Sequence, residues 1–261
     1  MNPLDELRDI IARLRAPDGC PWDREQTHAT LRGKVIEEAY ETVEAIDRGD
    51  DAHLCEELGD LLLQVVLHAQ IAEEEGRFTL DRITAELNAK LIRRHPHVFA
   101  ENALADSDAV LQQWDAIKRT EKNREPAASR LADITTALPA LLHAEKVTTR
   151  AARVGFDWDS TPPILAKIRE ELAEVETAIA HEDAAHVEEE VGDLFFAVVN
   201  LARKLRVDAE VSLRRATGKF IRRFQAMEAI LTERGRKLED CTLPEMDAVW
   251  DEVKAKERSS I

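Results

Sequence analysis

Residues 37–41 read EEAYE and residues 56–60 read EELGD, while residues 170–174 read EELAE and residues 189–193 read EEVGD. The second pair follows the first by 133 positions in both segments, so the interval inside each copy is unchanged. Residues three apart on a helix are neighbours on one face. Glu38 and Glu41 therefore point the same way, as do Glu57 and Asp60. In the second copy Glu171 pairs with Glu174, and Glu190 with Asp193. Turning about 100° per residue gathers Leu31, Val35, Ala39, Thr42 and Ile46 into one apolar arc. Ile164, Ile168, Leu172, Val175 and Ile179 form its counterpart. Glu38 and Glu171 fall at the edges of these arcs. A carboxylate there is costly unless something neutralises it. Four carboxylates at these spacings suit a helical hairpin holding a hard divalent cation such as Mg²⁺. Solvated glutamates explain one Glu-x-x-Glu in a chain with 52 acidic residues among 261, but not its repetition at a fixed interval.

The repeat reaches beyond the acidic motifs. Trp22-Asp23 returns as Trp158-Asp159, KLIRRH at 90–95 as KFIRRF at 219–224, and Trp114 as Trp250. Offsets drift between 129 and 136, as when loops change length and helices do not. This period is too long for a solenoid and marks duplication of a whole domain. Each copy predicts a loop carrying Trp-Asp, then helices at about 28–48, 52–75, 80–94 and 107–122, or 160–181, 184–205, 209–234 and 242–257. The polar stretch 119–137 reads as a linker, and Pro139 as the start of the second unit's first helix. No stretch alternates as strands do.

Composition agrees. Hydrophobic residues make up 44%, with only nine Gly and nine Pro, which favours a mostly helical protein. The net charge of −16 argues against nucleic-acid and membrane-surface partners. Three dispersed cysteines indicate no disulfide framework. The opening MNPLDELRDI is charged and amphipathic rather than a signal peptide, and no apolar run reaches the ~20 residues of a membrane span. The expected location is the cytoplasm.

An acidic protein that handles a polyanion needs cations beside it. Lys219 and Arg223 share a helix face, as do Lys90 and Arg94, and Lys34 and Lys167 each precede a Glu-x-x-Glu by four residues. Such groups suit a Mg²⁺-chelated triphosphate, with Arg as a fork and Lys as a point charge. All four tryptophans fall within the repeat, either as core-edge residues or, for Trp250, as a stacking surface. There is no phosphate-binding P-loop. Di-iron chemistry wants paired Glu-x-x-His motifs, and Glu25-x-x-His28 stands alone. His95 and His97 read as turn residues.

The doubled acidic motif, with GCPWD at 19–23, RRHPHVF at 93–99 and VGFDW at 154–158, resembles the two-domain MazG nucleoside triphosphate pyrophosphohydrolases over nearly the whole chain. That resemblance implies Mg²⁺-dependent all-α domains that cleave NTPs and dNTPs to the monophosphate and pyrophosphate, by water attack at the α-phosphorus. Glu171, Glu174, Glu190 and Asp193 would hold Mg²⁺ in the second unit, and Glu38, Glu41, Glu57 and Asp60 in the first. Lys167, Lys219, Arg222, Arg223, Trp250 and Lys254 match positions that surround the nucleotide, and the second unit would be the working one. The expectation is thus a tandem of MazG-like helical domains, each round a four-helix core. They span 1–118 and 139–261, are joined by 119–138, and assemble as a homodimer. A protein that senses nucleotides without turning them over is the alternative.

Overall fold

The computed structural model describes residues 2–100, 107–121, 131 and 134–258, and among these there is no strand. The chain divides into two units, Met1–Arg124 and Glu125–Ile261. The first contains α1 (Pro3–Arg15), α2 (Pro21–Glu25), α3 (Arg32–Arg48), α4 (Asp51–Glu74), α5 (Leu80–Arg94), α6 (Pro96–Phe99) and α7 (Ser107–Glu121). The second contains α8 (Ala140–Ala152), α9 (Thr161–Ala180), α10 (Ala184–Lys204), α11 (Ala209–Glu233) and α12 (Leu243–Arg258), with a 3-10 turn at Leu238–Asp240. The expected linker 119–138 lies largely outside the described residues, and its first three residues belong to α7.

Helix starts follow capping chemistry. Asn2, Asp50, Thr79, Asp183 and Asp208 each accept a hydrogen bond from a backbone N–H in the first turn of the helix that follows. Pro21 and Pro96 sit at first helical positions, where a missing N–H costs nothing. For that reason the Trp-Asp loop of the first unit and the HPHVF stretch are single helical turns rather than the expected loop and turn. Trp158, by contrast, does lie outside any helix.

The hairpins α3–α4 and α9–α10 form the centre of each unit. In the first, α1 and α5 close over α4, and Ile11, Leu31, Val66, Leu67, Ile71 and Leu80 pack together. In the second, α8 lies on α10, while Met227, Leu231, Val249 and Val253 join α11 to α12. The apolar arcs are only partly covered. Leu31, Thr42, Ile164 and Val175 are buried, but Ile46 is 57% exposed, Leu172 48% and Ile179 59%. Their helices border one neighbour rather than being wrapped, so the arcs are wider than the faces they bury.

The two units fasten the Trp-Asp segment with opposite charges. In the first, Arg15 grips Glu74 at 2.7 Å and donates to the carbonyls of Asp23 and Gln26. In the second, Asp157 takes Arg203 at 2.6 Å and Lys204 at 3.1 Å, and Lys204 donates to the carbonyl of Trp158. Arg203 and Lys204 draw the Asp157 carboxyl below its ordinary range against the opposing effect of burial.

The hairpin turns also differ. Gly49 ends α3 with φ 66°, whereas the matched Glu182 takes φ 55°, a left-handed conformation that costs a residue with a Cβ roughly 1–2 kcal/mol. Gly49→Ala should therefore destabilise the protein by about 1 kcal/mol, and Glu182→Gly should stabilise it by up to about 1 kcal/mol. Urea unfolding followed by circular dichroism reads both. Equal midpoints for Gly49→Ala and the parent would contradict the assignment of strain to this turn.

Candidate metal and nucleotide site

The hairpins bring the expected carboxylates together. Carboxylate oxygens of Glu38, Glu41 and Glu57 lie within 4.8 Å of one another, and so do those of Glu171, Glu174 and Glu190. Each triad takes two groups from one helix and one from its antiparallel partner, so it exists only when the hairpin is in register. Glu57 and Glu171 are buried. Asp60 and Asp193 stand outside these triads, one turn beyond Glu57 and Glu190. Asp60 is still close enough to push on Glu38.

Crowding shows in the acidity of the groups. Burial raises the Glu38 carboxyl, with Asp60 and Glu41 adding to it. A hydrogen bond with Glu171 raises Glu174, and partial desolvation and the charge of Glu171 reinforce this. Lys167 contacts Glu170 at 2.7 Å and Glu171 at 2.8 Å, and these carboxylates hold its ammonium firmly protonated. Lys34 makes the corresponding contact with Glu37 at 2.5 Å, and its acidity moves the same way. Three oxygen donors beside a flanking Asp, short of positive charge, fit a hard divalent cation that keeps several waters.

The other expected nucleotide residues are on α11 and α12. Arg223 pairs with Glu257 of α12 at 2.7 Å, and Lys254 pairs with Asp251 at 2.6 Å. Arg223 depresses Glu257, with help from Arg222 and Lys219. Lys219 and Arg222 are exposed and carry no ion pair among the described residues. Trp250 packs on Phe220 at 5.1 Å and borders the α11–α12 core. These residues lie on α11 and α12, and the partners of Arg223, Lys254 and Trp250 are on the same two helices.

Four features escaped the sequence reading. Arg94 and Arg93 hold Glu121 at 2.5 and 2.6 Å and pull its pKa to about 2. This repeats the Arg223–Glu257 contact and clamps α5 to α7 as α11 is clamped to α12. His53 and His186 contact Glu57 and Glu190, and their shared offset of 133 was the available signal. His28 faces His68 across 2.6 Å between Nδ1 atoms, with Arg77 against its other nitrogen. His95 and His97 pack edge-on against Trp114 and hydrogen bond to Gln113, respectively.

The raised carboxyls set a pH test. Glu38 and Glu174 bind protons more tightly when folded, so their contribution to stability is complete below the ordinary carboxyl range and is lost as pH rises through their raised values. A divalent cation should relieve the remaining repulsion at neutral pH and compete with protons at about pH 5. Mg²⁺ should therefore raise the melting temperature at neutral pH and much less at the acidic value. An equal response at both would contradict binding by these carboxylates.

The family model for the MazG nucleotide pyrophosphohydrolase domain matches this chain twice, at residues 26–99 and 160–227. Each match contains one hairpin and its triad. The chain is 48% identical over 260 residues to the nucleoside triphosphate pyrophosphohydrolase of Escherichia coli K12, covering 98% of this chain and 99% of that one. It is 45% identical over 251 residues to the nucleoside triphosphate pyrophosphohydrolase/pyrophosphatase MazG of Thermotoga maritima, covering 96% and 95%. YabN of Bacillus subtilis shares 45% over 260 residues, 99% of this chain and 53% of YabN. With two matched domains, each built round an acidic hairpin, this chain belongs to the MazG family.

Proposed function

We propose that this protein hydrolyses nucleoside triphosphates, both ribo- and deoxyribo-, to the monophosphate and pyrophosphate with Mg²⁺ as cofactor. The observation that carries this is the crowded triad of Glu171, Glu174 and Glu190 inside a matched MazG domain. These three, with Asp193, hold the ion in our reading. Glu38, Glu41, Glu57 and Asp60 make the equivalent site. When bound, Mg²⁺ offsets phosphate charge and makes water a better nucleophile. Lys167 sets a protonated ammonium beside the triad, where it can pair with a phosphate oxygen. Lys219 and Arg222 are exposed to receive phosphate oxygens. Arg223 and Lys254 would first have to leave Glu257 and Asp251 or share them. Trp250, next to Phe220, offers a face to a base.

We assign the work to the second unit, spanning 139–261, and treat 1–118 as its companion domain and 119–138 as the linker. A homodimer is supported by apolar side chains left open at matched places. These are Ile46 and Ile179, Leu62 and Phe195, and Val65 and Val198. A second copy packing helix against helix would cover such a stripe. Three free cysteines support a cytoplasmic location, and no helix among the described residues is long and apolar enough to cross a membrane. Nucleic acid is not the expected partner of a chain with net charge −16.

Incubation with ATP and dGTP, with products resolved by anion exchange, should yield monophosphate and pyrophosphate only when Mg²⁺ is present. Glu190→Ala should reduce turnover at least ~100-fold with helical circular dichroism unchanged, while Glu57→Ala reports the share of the first unit. Diphosphate plus phosphate would contradict the cleavage site. Nucleotide binding without turnover would favour a sensing protein, which the duplication also accommodates.

A further inference from the structure

The first turns of α4 and α10 are built alike. Asp50 caps α4 and accepts from the backbone N–H of His53, and Asp183 caps α10 and accepts from that of His186. Each His is thereby fixed as the third helical residue. One turn on, His53 Nε2 lies 2.8 Å from Glu57 Oε1, and His186 Nε2 lies 2.7 Å from Glu190 Oε1. The three residues recur in the same order, 133 positions apart. Neither His belongs to the triads of donor atoms.

We infer that His186 and His53 are positioning residues, each holding the far-helix carboxylate of its triad so that one oxygen faces the cation. This rests on the metal reading above. Asp183 fixes the turn, the turn fixes His186, and the imidazole N–H, donating to Oε1, sets the torsions of Glu190 and leaves Oε2 for the ion. A surface His–Glu pair at this spacing contributes little, because both partners keep their water. Here the Glu190 side chain is 13% exposed and that of Glu57 11%, while the imidazoles are more open at 44% and 29%. The pair thus orients a mostly covered carboxylate from its solvent side. In the second triad Glu171 is held by Lys167 and Glu190 by His186, so the buried carboxylate of one helix and the mostly covered carboxylate of the other each have an orienting partner.

Partners of metal-ligating groups typically change metal affinity ~10–100-fold when removed. The test is Mn²⁺ binding at neutral pH, read by calorimetry and by the electron paramagnetic resonance of free Mn²⁺. It uses the full chain carrying Glu57→Ala, so that the second unit's site is the one read. Adding His186→Ala should weaken binding by about tenfold, with the metal-free melting temperature unchanged. Adding His186→Gln, whose amide nitrogen reaches the same place as Nε2, should restore most of the affinity. Parental affinity in His186→Ala would overturn the inference. So would equal losses in the Ala and Gln variants, because a donated hydrogen bond would not then be what matters. Failure of the chain without any substitution at 186 to bind Mn²⁺ would instead sink the metal reading, and the inference with it.

Discussion

Three carboxylates within 4.8 Å of one another, at the covered edge of a two-helix hairpin, are the constraint on which each unit depends. Like charges that close repel, and burial deepens the cost. The hairpin must therefore be held in register by other means. Capping aspartates start α4 and α10, left-handed residues turn the chain back, and Leu31, Ile164 and Val175 bury the adjoining face. The repulsion that remains is what a divalent cation would remove. The site is thus a place where folding leaves electrostatic energy for a ligand to recover.

Comparing the two units separates what the site requires from what the scaffold tolerates. The carboxylates, the lysine one turn before them, the histidine one turn before Glu57 or Glu190, and the Arg–Glu clamp all recur. The fastening of the Trp-Asp segment recurs in place but with its charges exchanged. At the two matched helix ends, after α3 and α4 or α9 and α10, the left-handed residues are Gly49 and Gly76 in the first unit but Glu182 and Arg206 in the second. The His28–His68 contact has no counterpart, since position 201 is Leu. Burial, and to a lesser degree His28, lowers the pKa of His68. Turn strain and salt-bridge polarity can drift because many side chains satisfy them. Cation coordination allows far fewer substitutes.

Helix class, the duplication and the clustering of the carboxylates were legible in the sequence, because each depends on separations of a few residues along one helix or on the repeat itself. Helix α1 was not expected, and Asp60 and Asp193 were expected inside clusters that close without them. Helices α3, α4, α5, α9, α10, α11 and α12 lie within a few residues of their expected bounds. The short turns α2 and α6 were missed, since one turn of helix has no periodicity to detect. The exposure of Ile46, Leu172 and Ile179 was also missed, because a helix pattern marks which side is apolar and not how much of it a neighbour covers. Lys219, Arg222, Arg223, Trp250 and Lys254 lie on α11 and α12, and the partners of Arg223, Lys254 and Trp250, namely Glu257, Asp251 and Phe220, were not foreseen.

What the sequence by itself determined is therefore the local and the repeated: all-α structure, two like units, and which carboxylates share a helix face. What only the tertiary structure decided is which helix meets which. Glu57 joins Glu38 and Glu41, Glu190 joins Glu171 and Glu174, and Glu121 and Glu257 lock onto arginines 27 and 34 positions earlier in the chain. A spacing of three or four residues sets direction through the pitch of one helix. A contact across tens of residues depends on how two helices pack, and that is decided by the summed burial of both faces rather than by any motif.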